Sequence, residues 1–166
     1  MLKRLISSLA TWPSPKGWAN CVSVAAPAVL AIVAMAWGGG FLHWLPDVAK
    51  ALRLPLILLI PAFSEEVLFR GPIPRQGETK HPLLWLAATT AIFTLWHVVE
   101  ALTFLPGARL FLQPAFLACA ATLGLACGIM RYRTGSLWPA VALHGLVVWL
   151  WQSLFSGPGI AELMKP

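Results

Sequence analysis

Glu65 and Glu66 stand side by side at the end of an apolar run, Leu54 to Ser64, and Arg70 follows four residues after Glu66. An ionisable group at membrane depth costs at least a few kcal/mol, so an adjacent pair of acids there points to function. On a helix Glu66 and Arg70 share a face, while Glu65 is turned roughly 100° away. One acid is then held by the arginine and the other faces a cavity. Like charges crowded into a poorly solvated site oppose each other's ionisation, which is how a general acid or base is made. The plainer reading is that the acids mark the cytoplasmic end of the span and Arg70 neutralises them. An apolar run of 11 residues is too short for roughly 30 Å of hydrocarbon at about 1.5 Å per residue. The span is therefore expected to continue through the acids to about Pro72.

The composition says what kind of frame must hold these groups. Of 166 residues, 58% are hydrophobic, 11% are charged and nine are Trp, against about 25% charged in a soluble domain. This is an all-α, polytopic membrane bundle of one domain. The net charge of +6 belongs at an anionic membrane surface and needs no nucleic acid to explain it. Cys21, Cys119 and Cys127 lie in apolar runs without CxxC or zinc spacing and read as small apolar side chains. The short apolar piece before Pro13 does not resemble a cleaved signal peptide.

Residues 1–17 read as an interfacial N-terminal segment anchored by Lys3, Arg4, Lys16 and Trp12. The membrane core covers 18–156, with about five spans. They run from Trp18 to Trp37, Arg53 to Pro72, Pro82 to Phe104, Leu110 to Met130, and Leu137 to Phe155. Arg131, Tyr132 and Arg133 with Thr134-Gly135-Ser136 are expected to make a tight basic turn, and 157–166 form a C-terminal tail. The N-terminal side carries eight Lys and Arg and the opposite side four, which predicts a cytoplasmic N-terminus.

This topology puts Glu65 and His144 each roughly 10 Å from the cytoplasmic end of their spans, and His97 roughly 20 Å. All three are then able to share a water-filled cavity, which hydrolysis inside a bilayer requires. A lone intramembrane histidine often only bonds across to a neighbour. Two of them on separate helices, with a carboxylate pair on a third, read as a site. Glu100, three residues after His97, is placed either to orient that ring or to end the span as an interfacial acid. His43 and His81 fall in loops and join no constellation.

These residues resemble a known family. Glu65 to Arg70 fits EExxxR, Phe93 to His97 fits FxxxH, and Arg133-Thr134-Gly135-Ser136-Leu137-Trp138-Pro139 leading to His144 resembles a third motif region. The family is CPBP, the CAAX proteases and bacteriocin-processing enzymes, also called Abi or type II CAAX prenyl endopeptidases. The resemblance runs from Pro61 to about Trp151. It implies peptide hydrolysis in a membrane cavity, with Glu65 as the general base, His97 assisting and His144 stabilising the oxyanion. Glu66, Arg70 and Phe93 would be supporting residues. Where the family usually carries Asn or Asp, four positions after His144, this chain has Val148. Another donor is then needed, and Gln152, two turns beyond His144 on the same face, is one choice.

The compact size and altered third motif most resemble the short members paired with C-terminal sorting signals, the JDVT-CTERM type. That resemblance implies a membrane-anchored protein substrate with a C-terminal signal, in a prokaryotic cytoplasmic membrane. No cofactor is expected. The alternative is a zinc-dependent metalloprotease using Glu65, His97 and His144 as ligands, although HExxH is absent. A non-catalytic scaffold is the reading from another class. A proton-coupled transporter would more often show duplicated halves.

Overall fold

The computed structural model describes residues 2–165 and is helical throughout. In chain order the helices are α1 (Leu2–Ala10), α2 (Pro15–Gly38), α3 (Val48–Ala51), α4 (Leu54–Ile57), α5 (Ser64–Phe69), α6 (Pro82–Thr103), α7 (Pro114–Thr134), α8 (Trp138–Leu154) and α9 (Ile160–Leu163). A wide-turned segment, Leu58–Phe63, joins α4 to α5, and a tight turn, Arg109–Leu112, precedes α7. Among the described residues there is no strand. Met1 and Pro166, at the outer ends of the two terminal segments, lie outside the described residues.

Helix starts follow local chemistry. The Ser14 hydroxyl accepts from Gly17 N–H at 3.1 Å and Pro15 opens α2, while Pro82 and Pro114 occupy the first turns of α6 and α7. Three helices, α2, α6 and α7, are long and apolar enough to cross a membrane. The 17 residues of α8 give about 25 Å at 1.5 Å per residue.

The expected continuous second span is broken. Ile60 leaves helical geometry (φ −137°, ψ 117°) before Pro61, and the peptide between them is cis. Proline disfavours helical backbone in the residue before it and has no N–H to give, so the helix stops and a new one, α5, begins with the acids in its first turn. The break sits against α8. A Cβ on Gly145 would lie 2.5 Å from Leu58 Cδ2, so any larger residue would have to push the end of that side chain aside.

Two further boundaries differ from the sequence reading. The fourth helix begins at Pro114 rather than Leu110, because proline is suited to a first turn and the residues before it wind as Arg109–Leu112. Of the expected turn from Arg131 to Ser136, the residues up to Thr134 complete the last turn of α7, and the chain turns at Gly135, whose φ of 71° is the left-handed conformation that ends helices.

The central helix is α7, packed against α2, α6 and α8. Its small residues Ala120, Gly124, Ala126, Cys127 and Gly128 are buried, which lets neighbouring backbones come close. All three cysteines are buried and unpaired. The surface helix α1 exposes Leu2 and Ile6 and is tied to the α7–α8 turn, where Leu137 N–H donates to Ser8 O and Trp138 Nε1–H to Leu9 O, both at 3.0 Å.

The C-terminal segment folds back over the bundle rather than leaving it. Leu163 is buried with Ala108, Phe111 and Phe116, and Gly107 N–H donates to Leu163 O at 2.9 Å. Lys50 Nζ holds the segment, donating to Glu162 Oε2 at 2.9 Å and to Gly157 O at 3.0 Å. The Lys50 hydrogen bond, and a second from Gly159 N–H, hold the Glu162 carboxyl below its ordinary value of 4.5. A depressed carboxyl contributes stability above its unfolded value and loses it as pH falls through the folded one. Acidification below the ordinary carboxylate range is therefore expected to loosen residues 155–165. Hydrogen exchange at the Gly107 amide should accelerate there, and Glu162→Gln should show the same acceleration at neutral pH.

Candidate active site

Three helices bring the sequence-selected residues together. The first turn of α5 supplies Glu65 and Glu66, its end supplies Arg70, α6 supplies Phe93, His97 and Glu100, and α8 supplies His144, Val148 and Gln152. Glu66 and Arg70 are fully buried. Glu66 Oε1 lies 3.3 Å from Arg70 Nη1 and accepts a hydrogen bond from His144 Nδ1–H at 2.9 Å. A buried carboxylate survives only when paired and hydrogen-bonded, and here one oxygen meets both partners.

His144 is thereby fixed in orientation. With its Nδ1 proton directed at Glu66, its Nε2 faces Glu65 Oε2 across 3.9 Å. That is longer than a direct hydrogen bond and fits a bridged contact. Glu65 Oε2 is buried and has no hydrogen-bond partner of its own. Glu65, His97, Glu100, His144, Val148 and Gln152 all line one cavity of about 390 Å³.

Phe93 organises the other groups. It is 1% exposed, with its ring face 4.0 Å from Arg70 Cζ and its edge contacts made with His97 at 4.8 Å and His144 at 5.8 Å between centroids. A guanidinium over an aromatic face gains from the ring quadrupole most when desolvated, as here. Gly124 of α7 leaves the room. A Cβ there would be 2.7 Å from Arg70 Nη2 and 2.9 Å from Phe93 Cδ1.

Two sequence expectations change. Glu100 does not orient His97, because His97 Nδ1–H donates to Phe93 O one turn back at 2.9 Å, leaving Nε2 as the ring's other polar atom. Glu100 instead lines the cavity wall. The imidazole nearest Glu65 is His144, through the contact that Glu66 arranges. Among the described residues no group of three or more His, Cys, Asp or Glu side chains is placed to hold a metal ion. Sequence reading missed Phe111, Phe116, Trp151 and the C-terminal Pro158, Ile160 and Leu163, which complete the wall. Apolar residues at helical spacing carry no signal of which cavity they line.

The buried charge cluster yields a stability prediction. Arg70→Met removes one of the two partners of Glu66 Oε1 and should cost about 3–5 kcal/mol. Denaturant unfolding in detergent would measure it, and a change within experimental scatter would mean that His144 alone balances Glu66.

No curated protein and no solved structure matches the chain. The family described as type II CAAX prenyl endopeptidase Rce1-like matches residues 46–150, which carry α4, α5, α6, α7 and most of α8 and with them Glu65, Arg70, His97 and His144. With three apolar helices of membrane-spanning length and a match over 105 of its 166 residues, the chain is an integral membrane protein that belongs to the Rce1-like family of CAAX-type endopeptidases.

Proposed function

We propose that this endopeptidase is of the glutamic type, hydrolysing a peptide bond with water activated by Glu65. The observation that carries the reading is Glu65 Oε2, a buried carboxylate oxygen without a partner that faces His144 Nε2 at 3.9 Å in a cavity also lined by His97. A water accepted into this gap gives its proton to Glu65 as its oxygen attacks the peptide carbonyl. His97 assists by accepting at Nε2 a hydrogen bond from the water's other O–H, which stays on the attacking oxygen. His144 Nε2 borders the same gap and, carrying a proton, donates to the oxyanion that forms as the C–O bond is made. The C–N bond breaks as Glu65 passes its proton to the leaving amine, which restores the carboxylate.

Val148 has no hydrogen-bond donor, and Gln152 lies one turn further along the same wall of the cavity. The proposal gives Gln152 the second oxyanion contact. Glu66, Arg70 and Phe93 act as positioning residues. For the substrate we infer a protein with a membrane-anchored C-terminal region, cut close to the bilayer surface, in a prokaryotic cytoplasmic membrane. The resemblance to short sorting-system members supports this, as does a cavity whose walls include the apolar Ile60, Leu68, Phe104 and Leu105.

The test is cleavage of tagged single-span substrates by reconstituted protein. Glu65→Gln is expected to abolish cleavage while leaving the thermal transition in place, and wild-type activity should be indifferent to a tight zinc chelator. Chelator inhibition reversed by zinc would replace this mechanism with a metal-dependent one, and cleavage that survives Glu65→Gln would refute the role of Glu65. His144→Gln should lower kcat about a hundredfold or more, the usual cost of one oxyanion donor. A base must be ionised to act, so kcat/KM should rise with pH as Glu65 loses its proton, and a flat profile from acid to neutral would count against the assignment.

A further inference from the structure

Away from the catalytic cavity, two hollows meet at the end of the bundle that holds the N-terminus. The first, of about 280 Å³, is lined by Trp12, Ser14, Lys16, Asn20, Arg133 and Thr134 among others. Lys16 is in the first turn of α2 and Arg133 in the last turn of α7, and these helices pack on each other, so two cations are brought to one place. No acid lines this hollow, and neither cation belongs to an ion pair among the described residues. Both are exposed.

The second hollow, of about 510 Å³, is an apolar groove lined by Trp12, Trp18, Pro55, Leu58, Phe63 and Trp138 among others. It follows the broken span on one side and the start of α8 on the other. Trp12 belongs to both hollows. Its ring lies 5.8 Å from Trp18 and 6.1 Å from Trp138, and Phe63 stacks on Trp138 at 6.1 Å and 24°. Although it touches two other indoles, Trp12 is 67% exposed.

A ligand matched to this pair of hollows carries negative charge at one end and hydrocarbon at the other. Tryptophan favours the headgroup depth of a bilayer, and each nearby Lys or Arg attracts anionic lipid. A soluble phosphate would satisfy only the first hollow and leave the groove without an occupant of its chemistry. We propose that the two hollows form one binding site for an anionic glycerophospholipid. Its phosphate lies between Lys16 and Arg133, and an acyl chain runs along Trp12, Trp138, Phe63 and Leu58. Because Phe63 is two residues from Glu65, an occupied groove braces the segment that carries the acids. The site does not depend on the proposed chemistry.

The probe is phosphatidylglycerol mixed with phosphatidylcholine in nanodiscs. Native mass spectrometry of the extracted protein would read which lipid is retained. Phosphatidylglycerol brominated on its acyl chain would read proximity by quenching tryptophan fluorescence, with Trp12→Phe as the subtraction. Wild type is expected to retain phosphatidylglycerol over phosphatidylcholine, and the double variant Lys16→Gln, Arg133→Gln to lose about tenfold or more of that preference. Quenching should fall in Trp12→Phe. The single variants carry the same reading should the double variant not fold, since neither side chain makes a hydrogen bond among the described residues.

Equal retention of both lipids would overturn the proposal. So would an equal loss in the control Lys3→Gln, Lys80→Gln, which removes two exposed cations elsewhere and would show that only general surface charge is at work. Displacement of the lipid by inorganic phosphate, with no effect of the brominated chain, would reduce the site to one for a free anion. Loss of substrate cleavage with lipid retention unchanged would assign the basic hollow to the substrate.

Discussion

The structure depends on one constraint: Glu66 is a fully buried carboxylate in a bundle made for a membrane, and it has to be paired. Arg70, one turn later on the same helix, supplies the charge, and His144, from a helix 78 residues away, supplies the hydrogen bond. Neither partner alone completes the group. Taken together they tie α5 to α8, and Phe93 ties both to α6 by placing its ring against the guanidinium and the two imidazoles. The polar centre is thus also the place where the helices that form the candidate site are joined.

The break at Ile60 and Pro61 gives that centre its shape. A straight helix from Leu54 onward would carry Glu65 and Glu66 along an unbroken axis fixed by the residues before them. With the helix interrupted, α5 is a separate short piece whose first turn holds both acids, one turned into the Arg70 pair and the other into the cavity. Gly145 makes room for Leu58 beside α8, and Gly124 makes room for Arg70 and Phe93 beside α7. Both glycines serve packing rather than flexibility. A methyl group at Gly124 would strike the buried Arg70 guanidinium and Phe93 ring, and one at Gly145 would displace the end of the Leu58 side chain.

Part of the cavity lining comes from the C-terminal segment, far in sequence from the motifs. Leu163 and Ile160 from α9 and Pro158 before it belong to that lining, and the Lys50–Glu162 pair ties the segment to α3. Surface ion pairs of this kind contribute at most about 1 kcal/mol each. That segment is therefore held mainly by the burial of Leu163 and by the backbone hydrogen bond from Gly107 N–H to Leu163 O.

Much of this was legible in the residues. Hydrophobic runs of span length and the i, i+4 spacing of Glu66 and Arg70 are local properties, and helix periodicity turns them directly into helices and shared faces. The ordered motifs likewise marked Glu65, Phe93, His97 and His144. Contact between segments distant in sequence was not legible. The sequence does not show that Nδ1 of His144 would choose Glu66 and so turn Nε2 toward Glu65. Nor does it show that His97 would bond its own backbone rather than Glu100, that α9 would return to the site, or that Trp12, Lys16 and Arg133 would border a common hollow. Sequence by itself determined which groups are costly to bury and on which face of a helix each one lies. Tertiary structure alone decided which costly group meets which, because that choice depends on the distances and angles between packed helices, and those arise only when the apolar faces have been fitted together.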